Sequence, residues 1–467
     1  MKIILKPIFV FLLQFISLSI FGQTQSPNIV FVMADDLGIG DIGAYGQTLI
    51  QTPNLDQLAQ EGMKFTNFYA GSTVCAPSRA ALMTGQHTGH GHVRGNGEYP
   101  LDPGQKIMPE YLKQAGYNTA MFGKWGLGQK ETESSPEKRG WDVFAGFLHH
   151  VDAHYQHPDS IDMIVDGKIE KLPVPGGMYA NDYFAQRAGE FISDQTAEKP
   201  FFLYLSFTVP HAELILNPKA LSLYLDKEGN SVFADEVAWP DGRHYGPQEY
   251  PKAAYAAMVS HMDQQVGDLM KLLKEKGLDE NTIFIFTSDN GTHTEGGRTD
   301  KDVEFFSSSS FYRGKKRDLY EGGVHVPFIL KWPAQVKAGS LSDHRASFYD
   351  LPQTFAELAR VSTQDNLDGL SLAPLLTGQG EQPSHDYLYW EFHEQGGKQA
   401  ILKDQWKAIR LEVGKNPSGA IELYDLEKDP SETENVADQY PEKAAELTEI
   451  LDGVRTSNPI FNFGIKK

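Results

Sequence analysis

The chain of 467 residues carries 42 Lys+Arg against 62 Asp+Glu, a formal net charge of −20, with 40% apolar and 11% aromatic residues. That composition supports a large core and excludes wholesale disorder, and an acidic balance without a basic stripe excludes a general nucleic-acid binder. Cys75 is the sole cysteine, so no intramolecular disulfide and no cysteine-rich zinc site can form.

Lys2 and Lys6 precede an apolar run from Ile8 to Phe21 interrupted only by Gln14, Ser17 and Ser19. A basic start followed by a stretch shorter than the roughly 20 residues that span a bilayer reads as a signal peptide over residues 1–22, cut near Gly22 or Gln23. An exported chain without disulfides suits a bacterial periplasmic or secreted protein, with no transmembrane segment once the signal is removed.

Residues 28–34 are a continuous apolar strand that runs into Asp35-Asp36. Residues 53–61 read as a helix with Pro at its start and Leu55, Leu58 and Ala59 on one face. In Cys75-Ala76-Pro77-Ser78-Arg79, Pro77 suits a first helical turn. Cys75 is then expected at the N-terminal mouth, where free N–H groups favour negative charge. A helix over 109–115 and a strand over 118–122 lead to Gly123-Lys124-Trp125, and 201–207 is an almost unbroken apolar strand ahead of Pro210-His211. Residues 214–250, rich in Asp, Gly and Pro, read as a surface excursion. The longest helical pattern covers 251–276, with Gly277 as its stop. The strand over 282–287 then delivers Ser288-Asp289-Asn290-Gly291, and 307–310 is a short serine loop. Beyond 376, short strands are expected over 387–390, 399–402, 406–410 and 421–424, followed by a helix from 441 to about 454.

Continuous apolar strands alternating with helices predict an α/β fold. The expectation is a large, mostly parallel mixed sheet sandwiched by helices over residues 23–375, and a smaller antiparallel α+β subdomain over 376–467. Ligands in such sheets bind beyond the carboxyl ends of strands, where Asp35-Asp36 and Asp289-Asn290 fall. These turns offer only oxygen donors, which suits a hard divalent cation, Ca²⁺ more readily than Zn²⁺. Arg79 lies one helical turn from Cys75, on the same face.

The Cys-x-Pro-Ser-Arg motif, the two acidic turns, Gly123-Lys124-Trp125-Gly126-Leu127-Gly128 and the segment from Arg313 to Gly323 resemble, in order, the type I sulfatases of the alkaline-phosphatase superfamily. The likeness runs from Asn28 to Leu426. It implies that Cys75 is oxidised after translation to formylglycine (3-oxoalanine) by a formylglycine-generating enzyme or an anaerobic maturase. The hydrated aldehyde would attack sulfur, and the sulfated hemiacetal would collapse by eliminating sulfate. The likeness also implies one Ca²⁺ per chain, held by Asp35, Asp36, Asp289, Asn290 and the Cys75-derived oxygen. Arg79, Lys124 and Lys316 would neutralise the sulfate oxygens, with Lys316 rather than Lys315 selected by counting back from Glu321-Gly322-Gly323. His211 stands where the family keeps the His facing the leaving-group oxygen, a general acid.

Two positions depart from the family pattern. Gly126 stands where most members carry the His assigned to opening the hemiacetal, and His154 is the expected substitute. Gln86 replaces the usual Arg after Met83-Thr84-Gly85. For substrate choice, His87, His90, His92, Arg94 and Asn96 are expected to rim the pocket, and Glu391 and His393 to contact a sugar. The resulting expectation is an exported sulfuric ester hydrolase acting on a sulfated poly- or oligosaccharide. The alternatives are a phosphonate or phosphodiester hydrolase of the same superfamily and an inactive sulfated-glycan-binding homologue. No obvious second Asp/His ligand set favours the former, and the intact Cys75, Arg79 and Lys124 oppose the latter.

Overall fold

A computed structural model describes residues 26–464, so the signal peptide expected over 1–22 lies outside the described residues. Ten strands form one mixed sheet in the spatial order Ser340–Ser342, Met63–Phe65, Phe328–Lys331, Thr282–Ser288, Asn28–Asp35, Phe201–Pro210, Asn118–Lys124, Val143–Phe147, Ser160–Val165, Lys168–Pro173. The five strands from Thr282–Ser288 to Val143–Phe147 run parallel, and antiparallel pairing is confined to the flanks. Asn28–Asp35 occupies the centre and is buried along its whole length. The reason is visible in its alternation. Val30 and Val32 join one core with Leu55, Phe184 and Met258, whereas Ile29, Phe31 and Met33 join the other with Ala80, Leu112 and Phe355. A strand covered on both faces needs apolar residues at every position.

Helices Pro53–Glu61, Ala180–Ser193 and Pro251–Glu275 cover the first face, and Cys75–Thr84, Met108–Gln114 and Leu351–Leu358 the second. Prolines open the helices at Pro53 and Pro251, where a missing N–H costs nothing. The segment 214–250 is less superficial than its composition suggests. It contains Pro218–Leu221 and Ser222–Tyr224, and Leu214, Leu216 and Tyr224 are buried in the first core.

The C-terminal strands Leu388–Phe392, Lys398–Lys403, Trp406–Leu411 and Glu422–Asp425 form a separate antiparallel sheet. Helix Pro441–Gly453 covers one side through Leu447 and Leu451. The other side packs on Tyr69, Val74, Leu319 and Val324, which brings this sheet against the residue preceding Cys75. Among the described residues no helix is long and apolar enough to cross a membrane.

Candidate active site

The site lies at the carboxyl ends of the central strands. Asp35 ends the middle strand, and the pairing with Phe201–Pro210 slips there: Met33 faces Ser206 but Asp35 faces Pro210. This irregularity brings His211 alongside, its N–H donating to the Asp35 carbonyl at 3.1 Å. Asp36 adopts a left-handed conformation, φ 63°, and its N–H donates to Asp289 Oδ1 at 3.0 Å. Asx residues tolerate that conformation, and here the turn presents both aspartates to one point.

Cys75 opens helix Cys75–Thr84, and its Sγ donates to Asp35 Oδ1 at 3.2 Å with Asp36 Oδ1 at 3.8 Å. Ligand atoms of Asp35, Asp36, Cys75 and Asp289 all lie within 4.8 Å of one another, and all four residues are buried. Burial, then Asp289 and Asp35, push the Cys75 thiol well up, so the unmodified side chain is a neutral thiol. Burial and then Asp35 lift Asp289 to about 7. Burial also acts to raise Asp36, but Lys316 and His211 outweigh it and hold that carboxyl at about 2. Asp35 is likewise held low, by Lys124 and Arg79 against its burial.

Four permanent cations answer these acids. Arg79 donates to Asp289 Oδ2 through Nε at 3.0 Å and Nη2 at 2.8 Å, and through Nη1 to the Lys124 carbonyl and Ser206 Oγ. Lys124 Nζ lies 2.7 Å from Asp35 Oδ2, and Lys316 Nζ 2.6 Å from Asp36 Oδ2. Arg317 Nη2 lies 2.6 Å from Glu295 Oε1. His211 Nε2 is 2.6 Å from Glu295 Oε2, 3.1 Å from Lys316 Nζ and 3.3 Å from Asp36 Oδ2.

The donor set fits a hard divalent cation. Asn290 Oδ1 is buried without a hydrogen-bond partner while its amide nitrogen donates to Asp36 Oδ1. A buried amide oxygen left unpaired beside three crowded carboxylates is costly, and a cation bound by oxygen atoms would relieve both.

This centre therefore brings together Cys75, Arg79, Lys124, His211, Lys316, Asp35, Asp36, Asp289 and Asn290. His154 also arrives, but beside His211 rather than over Gly126. Its ring stands perpendicular to that of His211 at 4.2 Å, and its Nδ1 lies 2.9 Å from the Tyr245 hydroxyl. Burial, then the charges of His211 and Lys124, drive His154 down to about 2, so it is neutral. The side chain that a Cβ added at Gly126 would meet is that of His150, whose Cβ would lie 3.6 Å away. The parallel pairing of Lys124 with Phe147, continued by the Gly126 N–H to the Leu148 carbonyl, carries that neighbour into place.

The expected sugar contacts are engaged with other protein groups. Glu391 is fully buried, and its oxygens receive Arg94, Arg455 and the Tyr389 hydroxyl, with His393 Nε2 at 2.8 Å. His87 and His90 face Asp368. Arg94 is buried on Glu391, and Asn96 accepts from the Ala76 N–H, whereas His92 is exposed. Most of the expected rim thus fastens loops together. Sequence reading missed Glu295, six residues past Asp289 in the same loop, and Ser206, which holds Arg79 from the neighbouring strand.

The sulfatase family profile matches residues 27–361. The chain belongs to the sulfatase family. A second profile, the N-sulphoglucosamine sulphohydrolase C-terminal region, matches residues 310–456 of this sulfatase. An N-acetylgalactosamine-6-O-sulfatase of Bacteroides thetaiotaomicron is 30% identical, the match covering 93% of this chain and 94% of that protein. An N-acetylglucosamine-6-O-sulfatase of the same organism is 27% identical over 92% and 86%. A solved 6S-sulfatase structure from work on glycosaminoglycan metabolism in that organism superposes with a TM-score of 0.74 at 27% identity, covering 93% of this chain and all of that one. The sulfatase is accordingly a sulfuric ester hydrolase of the alkaline-phosphatase superfamily.

Proposed function

We propose that this sulfatase removes sulfate esters from a sulfated oligo- or polysaccharide, with 6-O-sulfated N-acetylhexosamines of glycosaminoglycan type as the first candidates. The observation that carries the reading is the position of Cys75, 3.2 Å from Asp35 in a buried cluster with Asp36 and Asp289 and flanked by Arg79, Lys124, Lys316 and His211. The names of the two Bacteroides relatives support the choice of sugar.

Oxidation of Cys75 to formylglycine by a maturase would supply a hydrated aldehyde as the nucleophile. Ca²⁺, held by Asp35, Asp36, Asp289 and Asn290, would supply positive charge to that nucleophile and to one sulfate oxygen. The protein's own side chains do the rest. Arg79, fixed by Asp289 and Ser206, keeps the helix mouth and the Asp289 turn in one geometry. Lys124 and Lys316 stand ready to neutralise sulfate oxygens, preorganised because both are buried and already oriented. His211 carries a proton at Nε2 for the departing sugar oxygen, and the neutral ring of His154 confines it from the side. Residues 23–375 form the catalytic unit in this reading, with 376–467 as a smaller unit against it. The leader over 1–22 directs export to the periplasm or beyond.

A panel of mono- and disaccharides sulfated at different carbons, assayed for released sulfate with mass analysis of the Cys75 peptide, tests the reading. Release from N-acetylhexosamine 6-sulfates, lost in Cys75→Ala, is expected. An oxidised Cys75 with no release from any sulfated saccharide defeats it.

A further inference from the structure

Glu295 has no place in the scheme above, yet its carboxylate sits where that scheme requires another anion. Oε2 lies 2.6 Å from His211 Nε2 and 3.4 Å from Lys316 Nζ, and Oε1 lies 2.6 Å from Arg317 Nη2. Two of these three groups are the ones that must face the sulfate of a substrate. Two anions sharing them in a water-poor site repel strongly, so one must give way.

The four carboxylates of the centre differ in freedom. The side chains of Asp35, Asp36 and Asp289 are wholly buried, whereas that of Glu295 is 20% exposed. Arg317, 34% exposed, grips the outer oxygen of Glu295 and lies on the solvent side of the centre. Glu295 can therefore release His211 and Lys316 while keeping Arg317.

We propose that Glu295 is a displaceable internal anion, which holds His211 and Lys316 in the empty site, yields them to the sulfate group, and reclaims them as the product leaves. The inference rests on the proposed sulfate-ester reading and adds a role in release. Inorganic sulfate, the product, must compete with a tethered carboxylate for the same cations, so its hold on the enzyme is weakened. Removing the charge of Glu295 while keeping its shape should tighten product binding, an effect that mere loss of structure cannot produce.

The test is the affinity of the matured, calcium-loaded enzyme for inorganic sulfate, measured by titration calorimetry and as competitive inhibition. Glu295→Gln should bind sulfate roughly tenfold more tightly than the wild type, with KM for the saccharide falling in parallel, and Glu295→Ala should change in the same direction. A crystal structure of the wild type with sulfate should show Glu295 turned away from His211 Nε2. An active wild type whose Glu295→Gln variant binds sulfate no more tightly overturns the proposal. So does a sulfate complex in which Glu295 still bonds His211. A wild type that releases no sulfate from any saccharide defeats the underlying reading instead.

Discussion

Glu391 offers a quantitative test because its chemistry and its burial point to different roles. Burial alone would raise its carboxyl, but His393, Arg455 and Arg94 outweigh that and lower it from the usual 4.5 to about 2. A tenfold change in proton affinity is equivalent to about 1.4 kcal/mol, so the charged form contributes on the order of 3 kcal/mol to folding at neutral pH. The folded value is depressed, so this contribution is fully present above the unfolded value near 4.5 and is lost as pH falls toward 2. Glu391→Gln keeps the shape, removes the charge and leaves Arg94 buried against a neutral amide. Urea unfolding at pH 7 should therefore show a loss of about 3 kcal/mol, shrinking to less than roughly half of that by pH 3. KM per folded molecule should stay within about twofold, because the ties of Glu391 hold the loop after the Cys75 helix to the C-terminal segment. Equal stability of variant and wild type at pH 7, or a difference independent of pH, refutes the reasoning. A large rise in KM at unchanged stability would instead restore the sugar contact expected from sequence.

Lys124→Met removes the cation 2.7 Å from Asp35 and should lower kcat/KM by about 100- to 1,000-fold, the usual cost of losing one preorganised group; steady-state kinetics on a cleaved sulfated saccharide decide it. Calcium at about 100 times its dissociation constant should add about 2.7 kcal/mol of stability. Melting with and without chelator measures this, Asn290→Ala should need more calcium for the same gain, and a flat response would dismiss the cation site. Gly123→Ala should collapse soluble yield, because its Cβ would lie 1.8 Å from the Ser206 carbonyl oxygen at a φ of +107°; a melting temperature equal to the wild type's would contradict the close approach of these strands.

Much of the frame was legible because it is written locally. Unbroken apolar runs announced the central strands, a 3.6-residue repeat announced helix Pro251–Glu275, and the acidic turns stood at strand ends where an α/β sheet opens its site. Pro77 correctly predicted that Cys75 heads a helix. The flanking strands Val143–Phe147, Ser160–Val165 and Lys168–Pro173 escaped notice, since they are short and the outer pair is partly exposed and polar.

What the amino-acid order determined by itself was the set of reactive groups and the element that carries each. What only the tertiary structure decided was which of those groups meet. Glu391 reads as a polar residue on a strand, yet Arg94, nearly three hundred positions earlier, and Arg455 enclose it and make it a buried tie. Nothing in the local sequence separates His150 from His154, yet the pairing of two parallel strands brings the His150 side chain to Gly126, while the Glu213 N–H bonded to the His154 carbonyl ties the other beside His211. Side-chain periodicity is a short-range signal, but the field at a buried charge is the sum of neighbours brought from every part of the chain.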